Sequence, residues 1–244
     1  MNEGEQNAAR RQLVVFDFDW TMIECNSDTE VVFKFCADKE ISKKRLQEAA
    51  ATRSWTRGMD EELKAISELD VKSKDIQDFL ATIPIEAELL RFVEEAAQAG
   101  IDLRVLSDAN SFFIEGVLQS KGLLGCFSRI VTNPVTLQGE RIVVSPFHQD
   151  EHPEGSSSPP NLCKGRVMKD WISEREWHSV VYCGDGEGDY EGVNALPKEG
   201  TALVRKDWGL HRRLVRAEEE GIAVPRVVVW EDQRDLAASL FKFL

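Results

Sequence analysis

Leu13-Val14-Val15-Phe16-Asp17-Phe18-Asp19-Trp20-Thr21 is a β-branched and aromatic run that passes at once into two carboxylates. A short buried strand of this kind belongs in a parallel sheet, with functional groups at its carboxyl end. Asp17 and Asp19 are two residues apart, so in extended chain both point to the same side. Such a pair can divide labour, one acid attacking a phosphorus atom as a nucleophile and the other handling protons. Read alone, the pair also fits a simpler arrangement, with Asp19 capping the next turn and Asp17 paired to a lysine.

Beyond this strand the chain changes character. Thr29 to Ala37, Ser42 to Arg53, Asp60 to Leu69 and Ser73 to Ile83 read as helices, and no convincing strand interrupts them. After Pro84 the alternation of strand and helix resumes. Glu86 to Ala99 is an amphipathic helix stopped by Gly100, and Ile101 to Leu106 is a strand ending at Ser107-Asp108. Asn110 or Ser111 can cap the next helix, to about Lys121. Arg129 to Thr132 is a strand, and Val135 to Leu137 with Arg141 to Ser145 form a hairpin. Pro146 to Asn161 is one long loop, of a length usually functional or disordered. Leu162 to Glu174 is helix, while Ser179 to Cys183, Thr201 to Val204 and Arg226 to Trp230 are further strands. The fold class is α/β: a Rossmann-like parallel sheet, residues 11–27 and 84–244, with a small helical cap, residues 28–83, inserted after the first strand.

Composition agrees with a folded, soluble chain. Apolar residues are 42% and charged residues 30% of the 244, enough for one substantial core. Acidic residues outnumber basic ones 43 to 30, which argues against nonspecific nucleic-acid binding. The basic stretch from Arg205-Lys206 to Arg216 reads as a solvated helix face. There is no signal-peptide pattern at the polar start and no apolar run long enough to span a membrane. The five cysteines are odd in number, scattered and without a CxxC pair, as in a reducing compartment. The expectation is a cytoplasmic protein with neither nucleic acid nor membrane as partner.

Three further features suit the chemistry of the acid pair. Ser107 offers a hydroxyl to a phosphoryl oxygen, and Lys164, opening a helix, offers a point charge to neutralise it. Asp185, in Gly184-Asp185-Gly186-Glu187-Gly188-Asp189, offers an oxygen ligand for a hard cation among glycines that allow close backbone approach. In this order, Phe16-Asp17-Phe18-Asp19-Trp20-Thr21, Ser107, Lys164 and Gly184 to Asp189 resemble the four motifs of the haloacid dehalogenase (HAD) superfamily. The strings Asn26-Ser27-Asp28, Ser107-Asp108-Ala109-Asn110, Thr132-Asn133-Pro134 and Asn161-Leu162-Cys163-Lys164-Gly165 narrow this to a resemblance to the phosphoethanolamine/phosphocholine phosphatase family and its plant-type relatives.

The resemblance implies a role for each residue. Asp17 would be the nucleophile that forms an aspartyl-phosphate, and Asp19 the proton donor and later acceptor. Asp17, the carbonyl of Asp19 and Asp185 would hold Mg²⁺; Ser107 and Lys164 would bind phosphoryl oxygens; Asp189 would support the metal waters or orient Lys164. Two departures stand out. Gly188 sits where the superfamily often has Asn, and the long loop lacks the upstream CxxC of relatives, reading His148-Gln149-Asp150-Glu151-His152-Pro153 instead. His148, Asp150, His152 and Cys163 are conceivable zinc ligands, though a surface loop explains them as well.

Asp28 lies eleven residues past Asp17, and Asp108 directly follows Ser107. Extra anions beside a phosphoryl site repel it unless the leaving group is cationic, as in phosphoethanolamine or phosphocholine, and Trp20 could add a cation–π face. Against this, Asp28 could cap a helix and Asp108 set a turn. Thiamine monophosphate, pyridoxal phosphate and pyrophosphate remain alternatives under the same mechanism, and a non-catalytic phosphate-binding regulator is a reading from another class.

Overall fold

Val14 and Phe16 are buried in one apolar cluster and Leu13 and Val15 in another, so the first strand, β1 (Gln12–Phe16), is covered on both faces. That double burial is why the run is continuously apolar rather than alternating. The computed structural model describes residues 11–52, 54–150 and 161–244. Six strands form its main sheet: β1, β2 (Asp102–Asn110), β3 (Arg129–Asn133), β6 (Ser179–Gly184), β7 (Thr201–Arg205) and β8 (Arg226–Trp230). Their order is β3-β2-β1-β6-β7-β8, every pairing is parallel, and Phe16 lies in register with Val105 on one side and Cys183 on the other. The chain leaves β1 toward β2 and β3, then returns past β1 to β6. Such a reversal opens a crevice at the strands' carboxyl ends.

Of the five helices between β1 and β2, the first four are α1 (Ser27–Phe35), α2 (Lys39–Ala51), α3 (Trp55–Ser67) and α4 (Ser73–Leu80). Asn26 caps α1 by accepting from Thr29 N at 2.9 Å, and Asp38 caps α2 in the same way. The buried Met59, Leu63 and Ile66 recur at helical spacing on α3. Val31, Leu46, Leu63 and Leu80 belong to the same apolar cluster as Phe16 and Phe92, so apolar packing runs without a break from the sheet into these helices.

Helix α3 starts at Trp55, five residues before the expected Asp60. Gly58 weakens the local helical signal, yet a Cβ there would stand 2.6 Å from that of Ala49. Close packing of α3 on α2 therefore uses the missing side chain, and tertiary contact overrides propensity. The next helix, α5 (Ala87–Ala99), ends at Gly100 with φ 83° as its spacing predicts. Strand β2 continues past Ser107 to Asn110, with a register irregularity between Leu106 and Asn110. Asn133 stabilises that end, donating from Nδ2 to the carbonyls of Asp108 (2.7 Å) and Ala109 (3.0 Å).

Helix α6 (Ser111–Ser120) follows, and Asn110 supplies its cap by accepting from Phe113 N at 3.0 Å. Strands β4 (Val135–Gln138) and β5 (Arg141–Val144) pair antiparallel. Their hairpin fastens to α3, where Asp60 accepts from Arg141 Nη2 (2.9 Å) and Val144 N (3.1 Å). Helices α7 (Lys164–Ser173), α8 (Tyr190–Asn194), α9 (Gly209–Glu219) and α10 (Gln233–Leu240) complete the fold. None of the five cysteines is in a disulfide, and no helix among the described residues is long and apolar enough to cross a membrane.

Arg205 is not part of a solvated face. It is buried, donates to the carbonyl of Trp20 at 2.7 Å and to Glu24, and stacks between Trp208 and Trp230. A guanidinium satisfies both demands because its edge donates while its flat face stacks.

A second buried arginine supports β2. Arg104, 2% exposed, donates to Asp102 (3.1 and 2.8 Å) and Glu174 (2.8 Å) and lies over Trp171 and Trp177. Burial works against the Asp102 carboxylate, but hydrogen bonds from Arg104 and Ser128 hold it below its usual range. A depressed acid contributes stability that is present above its unfolded value, near 4, and lost as pH falls through the folded one. Arg104→Met should therefore unfold at lower urea than wild type at pH 7, and the gap should narrow as pH falls below about 4. A gap constant down to pH 2 would assign the effect to packing instead.

Candidate active site

Asp17 follows β1 at its carboxyl end, and its N–H donates to the carbonyl of Cys183 at 2.9 Å, so the chain stays sheet-bound up to the first acid. Thr21 and Met22 then fold back onto the carbonyl of Phe18, making a tight turn. Trp20 sits in this turn with φ 60°, a conformation that costs a bulky residue energy. Arg205 on the Trp20 carbonyl and Trp208 against its ring, 5.3 Å between centroids, hold it there. Asp19 is aimed by the backbone, its Oδ1 accepting from Ser27 N at 3.0 Å.

Lys164 opens α7 and is 3% exposed. Its Nζ donates to Asp17 Oδ1 and to Asp189 Oδ1, both at 2.7 Å, and stands 3.9 Å from Asp108 Oδ2. Asp189 uses both of its oxygens: Oδ1 also accepts from Tyr182 Oη (2.8 Å), and Oδ2 accepts the backbone N–H of Asp185 (3.1 Å) and Gly186 (3.0 Å). A Cβ on Gly184 would stand 2.6 Å from Asp189 Oδ2, so only glycine admits this carboxylate beneath the turn. Thr21 Oγ1 donates to Asp185 Oδ1 at 3.1 Å. Asp17 and Asp185 each thus keep one oxygen without a hydrogen bond among the described residues.

Ligand oxygens of Asp17, Asp185 and Asp189 lie within 4.8 Å of one another, all buried. Burial pushes Asp17 up to about 6, with Lys164 pulling the other way. Burial, then Asp17 and Asp189, push Asp185 up to about 9. Burial alone would depress the Lys164 ammonium, but Asp17 and Asp189 outweigh it and hold it well above the lysine range. Three crowded acids facing one lysine fit a hard divalent cation, for which an all-oxygen donor set is suited. Asp19 is held well above the carboxylate range by burial and by the nearby charge of Asp28, which suits a proton donor.

The eight residues singled out from the sequence, Asp17, Asp19, Asp28, Ser107, Asp108, Lys164, Asp185 and Asp189, line one cleft of about 170 Å³. That is small beside the roughly 300–1,000 Å³ usual for drug-sized ligands. Asp28 is not a helix cap, since Asn26 fills that place. Its Oδ2 accepts from Trp55 Nε1 at 2.7 Å and its Oδ1 from Asn110 Nδ2 at 3.3 Å. Burial pushes its carboxyl up to about 6, against those two hydrogen bonds. Asp108 lies over Gly188, where a Cβ would come within 3.1 Å of its Oδ2, so the departure at position 188 leaves room for this acid. Trp20 lines the cleft too, as do Trp55 and Asn26.

Sequence reasoning missed Trp55, Tyr182 and the clasping role of Asn133. Trp55 and Tyr182 sit in no motif, and Asn133 shows only as part of a resemblance string. Of the conceivable zinc ligands, His148 Nδ1 accepts from Cys163 N at 3.1 Å and Asp150 pairs with Arg166, while His152 lies outside the described residues. Among the described residues the one metal-competent cluster is that of Asp17, Asp185 and Asp189.

Comparison with known proteins agrees with this geometry. A phosphoserine phosphatase structure carrying a phospho-aspartyl intermediate analogue superposes with a TM-score of 0.59 over 96% of this chain and 99% of that one, at 14% identity, a likeness of fold. The thiamine phosphate phosphatase-like protein of Arabidopsis thaliana is 34% identical over 83% of each chain. Inorganic pyrophosphatase 2 of Arabidopsis thaliana is 30% identical over 95% of this chain and 83% of its own. Pyridoxal phosphate phosphatase PHOSPHO2 of Mus musculus is 29% identical over 93% of this chain and 96% of its own. Fold and relatives define the class: a HAD-superfamily phosphatase, a phosphoric monoester hydrolase. Within that class the Putative Phosphatase family matches residues 12–244, and the chain belongs to it.

The raised acids set a pH dependence. An acid whose folded value is raised contributes stability below its unfolded value, and that contribution is lost as pH rises through the folded one. Metal-free protein should therefore lose stability between about pH 4 and 9, as Asp17 and Asp185 ionise side by side. Mg²⁺ should raise the melting temperature more at pH 8 than at pH 5.5, where it must displace protons. At a hundredfold excess over Kd the stabilisation is about 2.7 kcal/mol. Asp185→Asn should melt higher than wild type without metal and respond little to Mg²⁺; an undiminished response would place the cation elsewhere.

Proposed function

We propose that this phosphatase hydrolyses a small phosphomonoester with a cationic leaving group, of which phosphoethanolamine and phosphocholine are the simplest, through an aspartyl-phosphate on Asp17. The observation that carries the reading is the lining of one cleft by two kinds of acid. Asp17 and Asp189 flank Lys164 and cluster with Asp185, while Asp28 and Asp108 line the same cleft without being needed to bind phosphate. Anions placed there favour a substrate whose far end is positive.

Lys164 fixes Asp17 through Oδ1, so the other oxygen is presented to phosphorus. The nucleophile's oxygen forms a bond to phosphorus as the ester P–O bond breaks, and Asp19, whose carboxyl burial and the charge of Asp28 push well above the usual range, gives a proton to the departing alkoxide. Asp19, now a carboxylate, then takes a proton from the water that attacks the aspartyl-phosphate, which returns Asp17 and releases phosphate. Ser107 Oγ and Lys164 Nζ bind phosphoryl oxygens, and Asp189 keeps the lysine in place. Mg²⁺ held by Asp17, Asp185 and the carbonyl of Asp19 would neutralise the charge that otherwise keeps a carboxylate from a phosphate dianion.

A second reading keeps the mechanism and changes the substrate. Two relatives are named for thiamine phosphate and pyridoxal phosphate, and the indoles of Trp20 and Trp55 in the cleft lining favour a flat ring. Pyrophosphate, in the name of another relative, brings a second anion against Asp28 and Asp108, which works against it.

Phosphate release from phosphocholine, phosphoethanolamine, thiamine monophosphate, pyridoxal phosphate and pyrophosphate tests these readings. The amino-alcohol phosphates are expected to have the highest kcat/KM, with activity lost in EDTA and in Asp17→Asn. Asp19→Asn should lower kcat by about 10²–10⁴. A clear preference for either ring phosphate would establish the second reading in place of the first.

A further inference from the structure

Asp28 is 2% exposed, lines the cleft, and forms no ion pair with Lys, Arg or His among the described residues. Its carboxylate is held by two neutral donors, Trp55 Nε1 at 2.7 Å and Asn110 Nδ2 at 3.3 Å. A buried anion without a countercharge is costly, and a cation brought beside it in the cleft would offset that cost. The donors come from opposite sides: Asn110 from the end of β2, and Trp55 from the first turn of α3.

That first turn is itself anchored. Thr56 Oγ1 accepts from Asn161 Nδ2 at 3.0 Å, both buried, and Asp60 one turn on is fastened to Arg141 and to Val144 N of the hairpin. Two attachments adjacent to Trp55 thus fix its indole, with its N–H on Asp28 and its ring in the cleft lining. These contacts hold the wall from within the fold, as preorganised recognition of a small ligand requires.

We propose that Trp55 is a specificity-determining residue, which fixes the Asp28 carboxylate toward the cationic end of the leaving group and sets its indole beside that cation. The inference rests on the reading of a cationic substrate. Beyond that reading, it gives the inserted helices a particular part in choosing the substrate. Trp55 acts largely through Asp28, and its ring adds a cation–π contact.

The test compares kcat/KM for phosphocholine with that for glycerol 2-phosphate, whose leaving group is neutral, in wild type, Trp55→Phe, Asp28→Asn and the double variant. Phe keeps an aromatic face and deletes the N–H donor together with part of the ring, a volume loss that should weigh on both substrates alike. The ratio for phosphocholine over glycerol 2-phosphate should fall about tenfold in Trp55→Phe, through KM rather than kcat. In the Asp28→Asn background the same change should have little further effect on the ratio. An equal loss on both substrates, or full additivity with Asp28→Asn, would overturn the inference and leave Trp55 a structural residue. Wild type indifferent to leaving-group charge would remove the substrate reading and this inference together, whereas selective wild type with equally selective Trp55→Phe removes the inference alone. Should Trp55→Phe not fold, Trp55→His, which keeps a ring N–H, decides in its place: retained selectivity supports the inference, and an equal fall on both substrates overturns it.

Discussion

The ammonium of Lys164 between Asp17 and Asp189 holds together a site that electrostatics alone would push apart. Three carboxylates in one buried cavity repel, and burial makes that repulsion stronger than it would be in water. Lys164 answers part of it at 2.7 Å on either side. The remainder is carried by protons, which is why Asp17 and Asp185 sit above the usual carboxylate range, and it is the remainder a divalent cation would answer. Asp189 is the member turned entirely inward. With both oxygens committed to Lys164, Tyr182 and two backbone amides, it fixes the lysine and the Gly184–Asp189 turn as one unit.

The sheet order makes this meeting possible. Asp17 and Lys164 are 147 residues apart in the chain, and Asp185 is farther still from Asp17. Because β1 is central, flanked by β2 and β6 with all strands parallel, the chain delivers Ser107, Asp108 and Asp185 to the same end as Asp17. Asparagines fasten the rim of the cleft: Asn26 caps α1, Asn110 caps α6 and holds Asp28, Asn133 ties the end of β2, and Asn161 reaches Thr56. An amide that both donates and accepts suits such places, where a backbone group and a side chain must be satisfied together.

Through Asp28 and Trp55 the inserted helices supply another part of the cleft lining. Their apolar faces continue the cluster on one side of the sheet, and the β4–β5 hairpin fastens α3 from the other direction. The cleft is therefore lined by elements whose positions packing sets. On the proposed reading, the acids and indoles that line the cleft beside the phosphoryl site would make selection among small phosphate esters a matter of what the leaving group carries.

Much of the fold was legible because its signals are local. The β1 run, the Gly100 stop of α5, the hairpin and β8 each announce themselves through spacing or a single residue type, and the acids at 17, 19 and 185 stand out because strand ends expose them. Where local signals conflict with packing, the sequence misleads. Gly58 hid the first turn of α3, Ser107 looked like a strand end although β2 runs to Asn110, and Arg205 looked solvated although two indoles enclose it. By itself the sequence determined the α/β class, the order of the elements and the chemical kinds brought to the site. Only the tertiary structure decided that Asp189 faces Lys164 with both oxygens used, that Asp28 is held by Trp55 and Asn110, and that the eight residues share one cleft. Those are contacts between segments far apart in the chain, and no local pattern encodes which side chains will face each other once the sheet has closed on its core.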